Sequence, residues 1–170
     1  MKKNSQGFSL IELLIVVAII LIIAAIAIPN LLRSRIAANQ ASAVGSLRTL
    51  NTAEVTYATT YNTGYSGNLG SLGGAAGSPT PVATAAGLVD EVLSGWNLST
   101  TSTYSQKSGY QFVYSPATPD ASNRIDQYQI TASPISVGTT GTNFYFTDQT
   151  GVIRQNSTAM AQSTDSPLAG

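Results

Sequence analysis

Gly7-Phe8-Ser9-Leu10-Ile11-Glu12-Leu13-Leu14-Ile15-Val16-Val17 opens an apolar segment that continues to Ile28. Ser9 and Glu12 are its only polar side chains, and no Gly falls between Phe8 and Ile28. As a helix rising ~1.5 Å per residue, the segment is about 32 Å long, roughly the thickness of a bilayer core. Apolar on every face, it belongs either in lipid or buried on all sides in an assembly. Near mid-bilayer a carboxylate costs about 2.5–3.5 kcal/mol on insertion scales, and less near the helix start. Glu12 therefore calls for a functional reason.

The segment follows Met1-Lys2-Lys3-Asn4-Ser5-Gln6-Gly7, a short basic leader ending in Gly. From this leader through Val17, with a proline at Pro29, roughly the first 35 residues resemble the type IV prepilins and their relatives. That family carries a short basic leader, then Gly, then Phe-Ser/Thr-Leu-Ile-Glu and a long apolar helix containing a proline. The resemblance implies that a dedicated prepilin peptidase and methyltransferase cuts between Gly7 and Phe8 and N-methylates Phe8. It further implies a cytoplasmic N-terminus, an inner-membrane precursor in lipid, an assembly platform in that membrane, and polymerisation of identical subunits into an extracellular helical filament. Two simpler readings compete. One is a secretory signal peptide cut at Ala25-Ile26-Ala27, against which the apolar run is longer than the usual ~7–15 residues and Glu12 interrupts its start. The other is a plain membrane anchor with an incidental Glu12.

Composition narrows the chemistry. The chain has 170 residues, of which only 9% are charged, against ~25% in typical soluble proteins. Loss of residues 1–7 removes Lys2 and Lys3 and leaves six basic against eight acidic side chains. No general basic surface for nucleic acid is indicated. There is no His and no Cys, which excludes Ser-His-Asp and Cys-His catalysis, His- or Cys-ligated zinc, haem attachment and disulfides. Many type IV pilins staple their C-terminal region with a disulfide, and this chain departs from that pattern. The acidic residues are scattered, with Asp90-Glu91 the one adjacent pair, so no general acid and base stand out by spacing. No enzymatic activity and no cofactor are expected.

Downstream of the apolar segment, Pro29 removes one helical hydrogen bond and marks a kink or local break, and Arg33 and Arg35 mark emergence into water or headgroups. Positive charge thus flanks both ends, so charge alone does not orient the segment. From Leu31 to about Tyr61, Ala37, Ala41, Val44, Leu47, Leu50, Tyr57 and Tyr61 recur at three- and four-residue steps, an amphipathic helix that needs a covering domain. Gly45 weakens it by about 1 kcal/mol, and Asn62-Thr63-Gly64 is a plausible stop. A Gly/Ser/Ala/Pro-rich loop follows to residue 86, then a short helix over Leu88–Leu93 ending at Gly95, with Trp96 as a core or loop anchor. Beyond it the period changes to two. Tyr110–Tyr114, Tyr128–Ala132 and Asn143–Thr147 read as strands, the last turning through Asp148-Gln149-Thr150-Gly151 into Val152-Ile153-Arg154 as a hairpin.

These signals predict an α+β fold, a long N-terminal helix packed on three or four antiparallel strands. The expected divisions are a leader at 1–7, a transmembrane and filament-core helix at 8–30, its amphipathic half at 31–61, a loop region with a short helix at 62–109, the sheet at 110–155 and a loosely ordered polar tail at 156–170. Within a filament, Glu12 would neutralise the Phe8 amine of a neighbouring subunit. At about 4 Å and an effective dielectric near 20 that attraction is about 4 kcal/mol before desolvation. The function expected is structural, as a type IV pilus subunit serving adhesion, motility or DNA uptake, with a type II secretion pseudopilin as the alternative inside the family. From other classes come a secreted or anchored binding module and a weak hydrolase using Lys107 as base. Asn97-Leu98-Ser99 and Asn156-Ser157-Thr158 fit the N-glycosylation pattern but read as chance in so Ser/Thr-rich a chain.

Overall fold

The computed structural model describes residues 8–74 and 80–168. The chain divides into two compact units, Met1–Arg35 and Ile36–Gly170. Helix α1 (Leu10–Tyr61, 52 residues) begins in the first and ends in the second. The fold is α+β.

In the first unit, every described side chain except Ala24 is exposed. Leu10, Leu21, Ile22 and Ile26 are among the apolar residues more than half exposed. β-branched Ile and Val lower helix propensity in water, yet this run is long and apolar enough to cross a membrane. There a helix is favoured because it satisfies its own backbone polar groups.

In the second unit, α1 buries Ala43, Val44, Ser46, Leu47, Leu50, Ala53, Glu54 and Tyr57. The stripe keeps the three- and four-residue spacing but starts later than the sequence suggests. Ala37 and Ala41 are exposed and Tyr61 is half-buried. At that end of the unit, α1 meets the stretch from Thr140 to Thr142 through polar groups instead. Asn39 donates to the Thr140 carbonyl (2.8 Å) and Gln40 to the Thr142 hydroxyl (2.8 Å).

Two four-residue helices follow. α2 (Leu69–Leu72) is capped by Asn68, whose Oδ1 accepts from the Ser71 N–H. α3 (Glu91–Ser94) is capped by Asp90 at its start and by left-handed Gly95 at its end. The sheet is a five-stranded antiparallel meander in the order β1 (Tyr104–Lys107), β2 (Tyr110–Pro116), β3 (Tyr128–Pro134), β4 (Phe144–Asp148), β5 (Arg154–Asn156). β1 begins before the expected start of the sheet. It joins β2 through the two-residue turn Ser108-Gly109, both with positive φ, the geometry that matches strand twist. Tyr110, Phe112 and Tyr114 on β2 and Tyr128, Ile130 and Ala132 on β3 bury one sheet face against the α1 stripe, joined by Leu69, Leu72 and Leu93.

Two further differences have plain physical causes. Part of the Gly/Ser-rich loop folds as α2, whose residues are all buried; residues 75–79 of that loop lie outside the described residues. The polar tail is tied back onto β5. Leu168 N–H donates to the Ile153 carbonyl (2.8 Å) and Gln155 N–H to the Ser166 carbonyl (3.1 Å), while Ala161 is buried. Asp165 anchors this return, accepting from Asn156 Nδ2 (3.0 Å) through its carboxylate and from Arg154 Nη1 (2.8 Å) through its carbonyl. A polar composition thus marks hydrogen-bonded cover for a sheet edge here.

Candidate functional site: the N-terminal segment

Gly7 lies outside the described residues, so the junction with Phe8 is seen from Phe8 onward, whose side chain is 80% exposed. Ser9 precedes the first helical residue, and Glu12 occupies the third position of α1. The Glu12 carboxylate reaches back over the first turn, where Oε2 accepts from the Ser9 backbone N–H at 2.9 Å. This is half of a capping box, in which a residue three positions inside a helix satisfies the backbone N–H that precedes it. The Ser-x-x-Glu spacing announces it in the sequence. A negative charge in the first turn also complements the positive end of the helix dipole.

Pro29 lies inside α1, which continues through it to Tyr61. Having no N–H, Pro29 leaves the Ala25 carbonyl without its intrahelical donor. One turn on, the Ser34 hydroxyl donates to the Asn30 carbonyl at 3.0 Å, a local bond that often accompanies bending. Arg33 and Arg35 are exposed.

The second unit gathers no reactive constellation from the sequence candidates. Lys107 Nζ lies 2.8 Å from Asp90, engaged by a carboxylate that also accepts the Leu93 N–H at 2.9 Å. Burial works to raise the Asp90 pKa, but the Lys107 hydrogen bond and the backbone N–H of Leu93 bring it below the ordinary carboxylate range. Among the described residues, no group of three or more acidic side chains is placed to hold a metal ion. Trp96 is half-buried. The Asn156 side chain bonds Asp165 and the backbone N–H groups of Thr158 and Ala159.

One buried residue escaped sequence reasoning. Glu54 is fully buried in the second unit. Its Oε2 accepts from the Ser66 N–H at 2.9 Å and its Oε1 lies 2.6 Å from the Ser66 hydroxyl. Burial raises its pKa, opposed by the two hydrogen bonds from Ser66. A charged residue between apolar positions reads as solvent-facing, and only its phase on the helix, seven residues from Leu47 and three from Tyr57, hints otherwise.

Residues 2–28 match the family described as "Prokaryotic N-terminal methylation motif". Over 54 residues, 32% of this chain and 24% of the relative, the sequence is 49% identical to the type IV major pilin protein PilA of Myxococcus xanthus. Over 37 residues, 22% of this chain and 28% of the relative, it is 65% identical to a type IV wide pilus major component of Thermus thermophilus. The matched stretch thus spans about a quarter of the length of these curated relatives. No solved structure matches the chain. The N-terminal part of this chain carries the prokaryotic N-terminal methylation motif and is similar to type IV major pilins.

Proposed function

We propose that this chain is a structural, non-catalytic subunit of a type IV pilus, held first as an inner-membrane precursor and then polymerised with identical copies through its N-terminal helix. The observation that carries this reading is the all-apolar, exposed first half of α1 with a single carboxylate at Glu12, under a methylation motif. A helix with no covered face must find lipid or neighbouring helices. In the proposed sequence of events, residues 1–7 are removed at Gly7/Phe8 and Phe8 is N-methylated by the prepilin peptidase and methyltransferase. Residues 8–30 serve as membrane span and then filament core, 31–61 as the amphipathic half of the helix, and 62–109, 110–155 and 156–170 as the displayed domain. The processed subunit is handed to the assembly platform in the inner membrane. Both relatives are named as pilus components, and neither favours the pseudopilus alternative.

Glu12 is assigned to assembly. With Oε2 on Ser9, its Oε1 is left to meet a cation, and the Phe8 amine of a neighbouring subunit is the cation that cleavage creates. Removing either partner would leave the other buried and unpaired, which is strongly unfavourable. The deciding experiment is N-terminal mass spectrometry of the purified protein together with inspection of sheared surface material. A methylated Phe8 terminus in filaments supports the proposal. A terminus at Ile28, or an intact Met1 with no filaments, would replace it with a secreted or anchored binding module.

A further inference from the structure

We infer that Glu54 is a neutral carboxylic acid in the folded protein, donating its own proton into a Glu54–Ser66–Asn68 chain that latches residues 66–68 onto α1. The protons at hand are too few to satisfy an ionised Glu54 and its neighbours. The Ser66 hydroxyl has one hydrogen but two acceptors within reach, Glu54 Oε1 at 2.6 Å and the Asn68 carbonyl at 3.0 Å. The Tyr114 hydroxyl, which also faces Glu54, gives its hydrogen to the Ser66 carbonyl at 2.7 Å. With Glu54 ionised, the Ser66 proton cannot serve both acceptors. With Glu54 protonated, Oε1–H donates to Ser66 Oγ, Ser66 Oγ–H donates to the Asn68 carbonyl, and Oε2 still accepts the Ser66 N–H.

The surroundings agree with this count. The titratable groups facing Glu54 are tyrosines, Tyr57 from its own helix, Tyr114 from β2 and Tyr128 from β3. None supplies a positive charge, and the side-chain ion pairs among the described residues, Lys107–Asp90 and Arg124–Asp126, lie elsewhere. A fully buried carboxylate without a cation costs far more than a buried neutral acid with its hydrogen bonds made. The latch also has consequences beyond one contact. Residues 66–68 lead into α2, whose N-cap is Asn68, and the Tyr65 N–H beside them donates to the Ile125 carbonyl at 2.8 Å. Loss of the Glu54 proton would loosen the segment where the loop after α1 meets the sheet.

The folded state keeps a proton that the unfolded chain releases near 4.5, the ordinary Glu value. Stability is therefore full below that pH and is lost as pH rises toward the folded-state value, the folding constant falling tenfold per pH unit in between. The test uses the full-length chain in detergent, 13C-labelled at its three glutamates, Glu12, Glu54 and Glu91. The Glu54 carboxyl carbon, assigned through its backbone, is expected to keep the chemical shift of a protonated acid at neutral pH. Glu54→Gln, whose amide can donate to Ser66 Oγ and accept from its N–H, is expected to flatten the fall in melting temperature as pH rises above the ordinary Glu value of 4.5 and to protect the Ser66–Asn68 amides equally over that range. A carboxylate shift for Glu54 at neutral pH, or a Glu54-dependent rise in stability over that range, overturns the inference. Should Glu54→Gln fail to fold, the wild-type carbon shift alone decides.

Discussion

The Glu12 carboxylate accepts a 2.9 Å hydrogen bond from the Ser9 backbone N–H, so the one charged group of the apolar helix is tied to its own first turn. This gives Glu12 a role in the single subunit beside the one proposed between subunits. A cap of this kind contributes about 0.5–2 kcal/mol, comparable with the net worth of an ion pair after desolvation. Substitution separates the two roles because Gln keeps an acceptor oxygen and loses the charge.

Glu12→Ala is expected to leave membrane insertion intact or improved, since it removes a polar group from lipid. Cleavage at Gly7 should be largely unchanged, and filament yield should fall severely. Glu12→Gln should retain the Ser9 hydrogen bond and still assemble poorly. Membrane-pool subunit, processed mass and sheared filament are the quantities to measure. Normal filaments from Glu12→Gln would mean that capping suffices and that no charge pair forms with Phe8.

Asp90 holds the start of α3 and pairs with Lys107 at 2.8 Å. Both side chains are a third or more exposed, at 34% for Lys107 and 50% for Asp90, so the ion pair adds only about 0–1 kcal/mol. Lys107→Ala should therefore be nearly silent in thermal unfolding, while Asp90→Ala should cost about 1 kcal/mol or more through the lost cap. Because the Asp90 pKa is lowered in the fold, its contribution is present above the unfolded carboxylate value and is lost as pH falls through the folded one. Equal losses from the two substitutions would refute the cap as the main term.

The strands were legible in the sequence where side chains alternate, as in Tyr110-Gln111-Phe112-Val113-Tyr114, whose buried residues face α1. β1 was not, because Tyr104-Ser105-Gln106-Lys107 has no apolar alternation. Its buried member is Ser105, and the Ser105 hydroxyl has no hydrogen-bond partner among the described residues. The Ser108-Gly109 pair before Tyr110 was the available cue for that hairpin. The N-terminal segment was legible because its signal is covalent order plus length. Glu54 was hidden by the reverse logic, since a charge reads as surface unless its hydrogen-bond partners, twelve residues on at Ser66, are known.

Gly64 and Gly138 both have positive φ, 79° and 81°, but differ in what surrounds them. A Cβ on Gly64 would lie 2.2 Å from the Ile125 carbonyl oxygen, whereas one on Gly138 meets nothing within 4 Å. Gly138→Ala should cost only the backbone strain, about 1–2 kcal/mol. Gly64→Ala should cost more, because it also forces apart the bridge in which the Ile125 carbonyl accepts the Tyr65 N–H. Chemical denaturation of the two variants checks the order, and equal costs would exclude the close approach at Ile125 as a constraint.

The returning tail makes its own prediction. β5 is a three-residue strand at one end of the sheet, and the chain from Ser157 to Leu168 folds back over it, with Arg154 bridging Pro167. Deleting residues 157–170 would uncover Ile153 and leave the outer N–H and C=O groups of β5 open to other chains, a known route to aggregation. The truncated protein should melt at a lower temperature and associate at concentrations where the full chain does not, as read by light scattering. Unchanged melting and scattering would return the tail to the status of loose polar cover.

Pro29 gives the last test, on the helix itself. The Ala25 carbonyl lacks its intrahelical donor, yet α1 continues through the proline. A Gly would be a second weak point in such a helix, and no Gly occurs between Phe8 and Ile28. If the helix yields when packed in a filament, the break should be short and centred on residues 25–29. Pro29→Ala restores the missing hydrogen bond and removes the ring clash, a change worth about 3 kcal/mol in a helix interior. A filament density map should then show regular helix at 25–29 in Pro29→Ala and a local break in the parent. The second unit should melt identically in both, since Pro29 lies outside it. An unbroken helix through residues 24–32 in the parent filament would show that neighbouring helices supply enough packing to hold the turn without that bond.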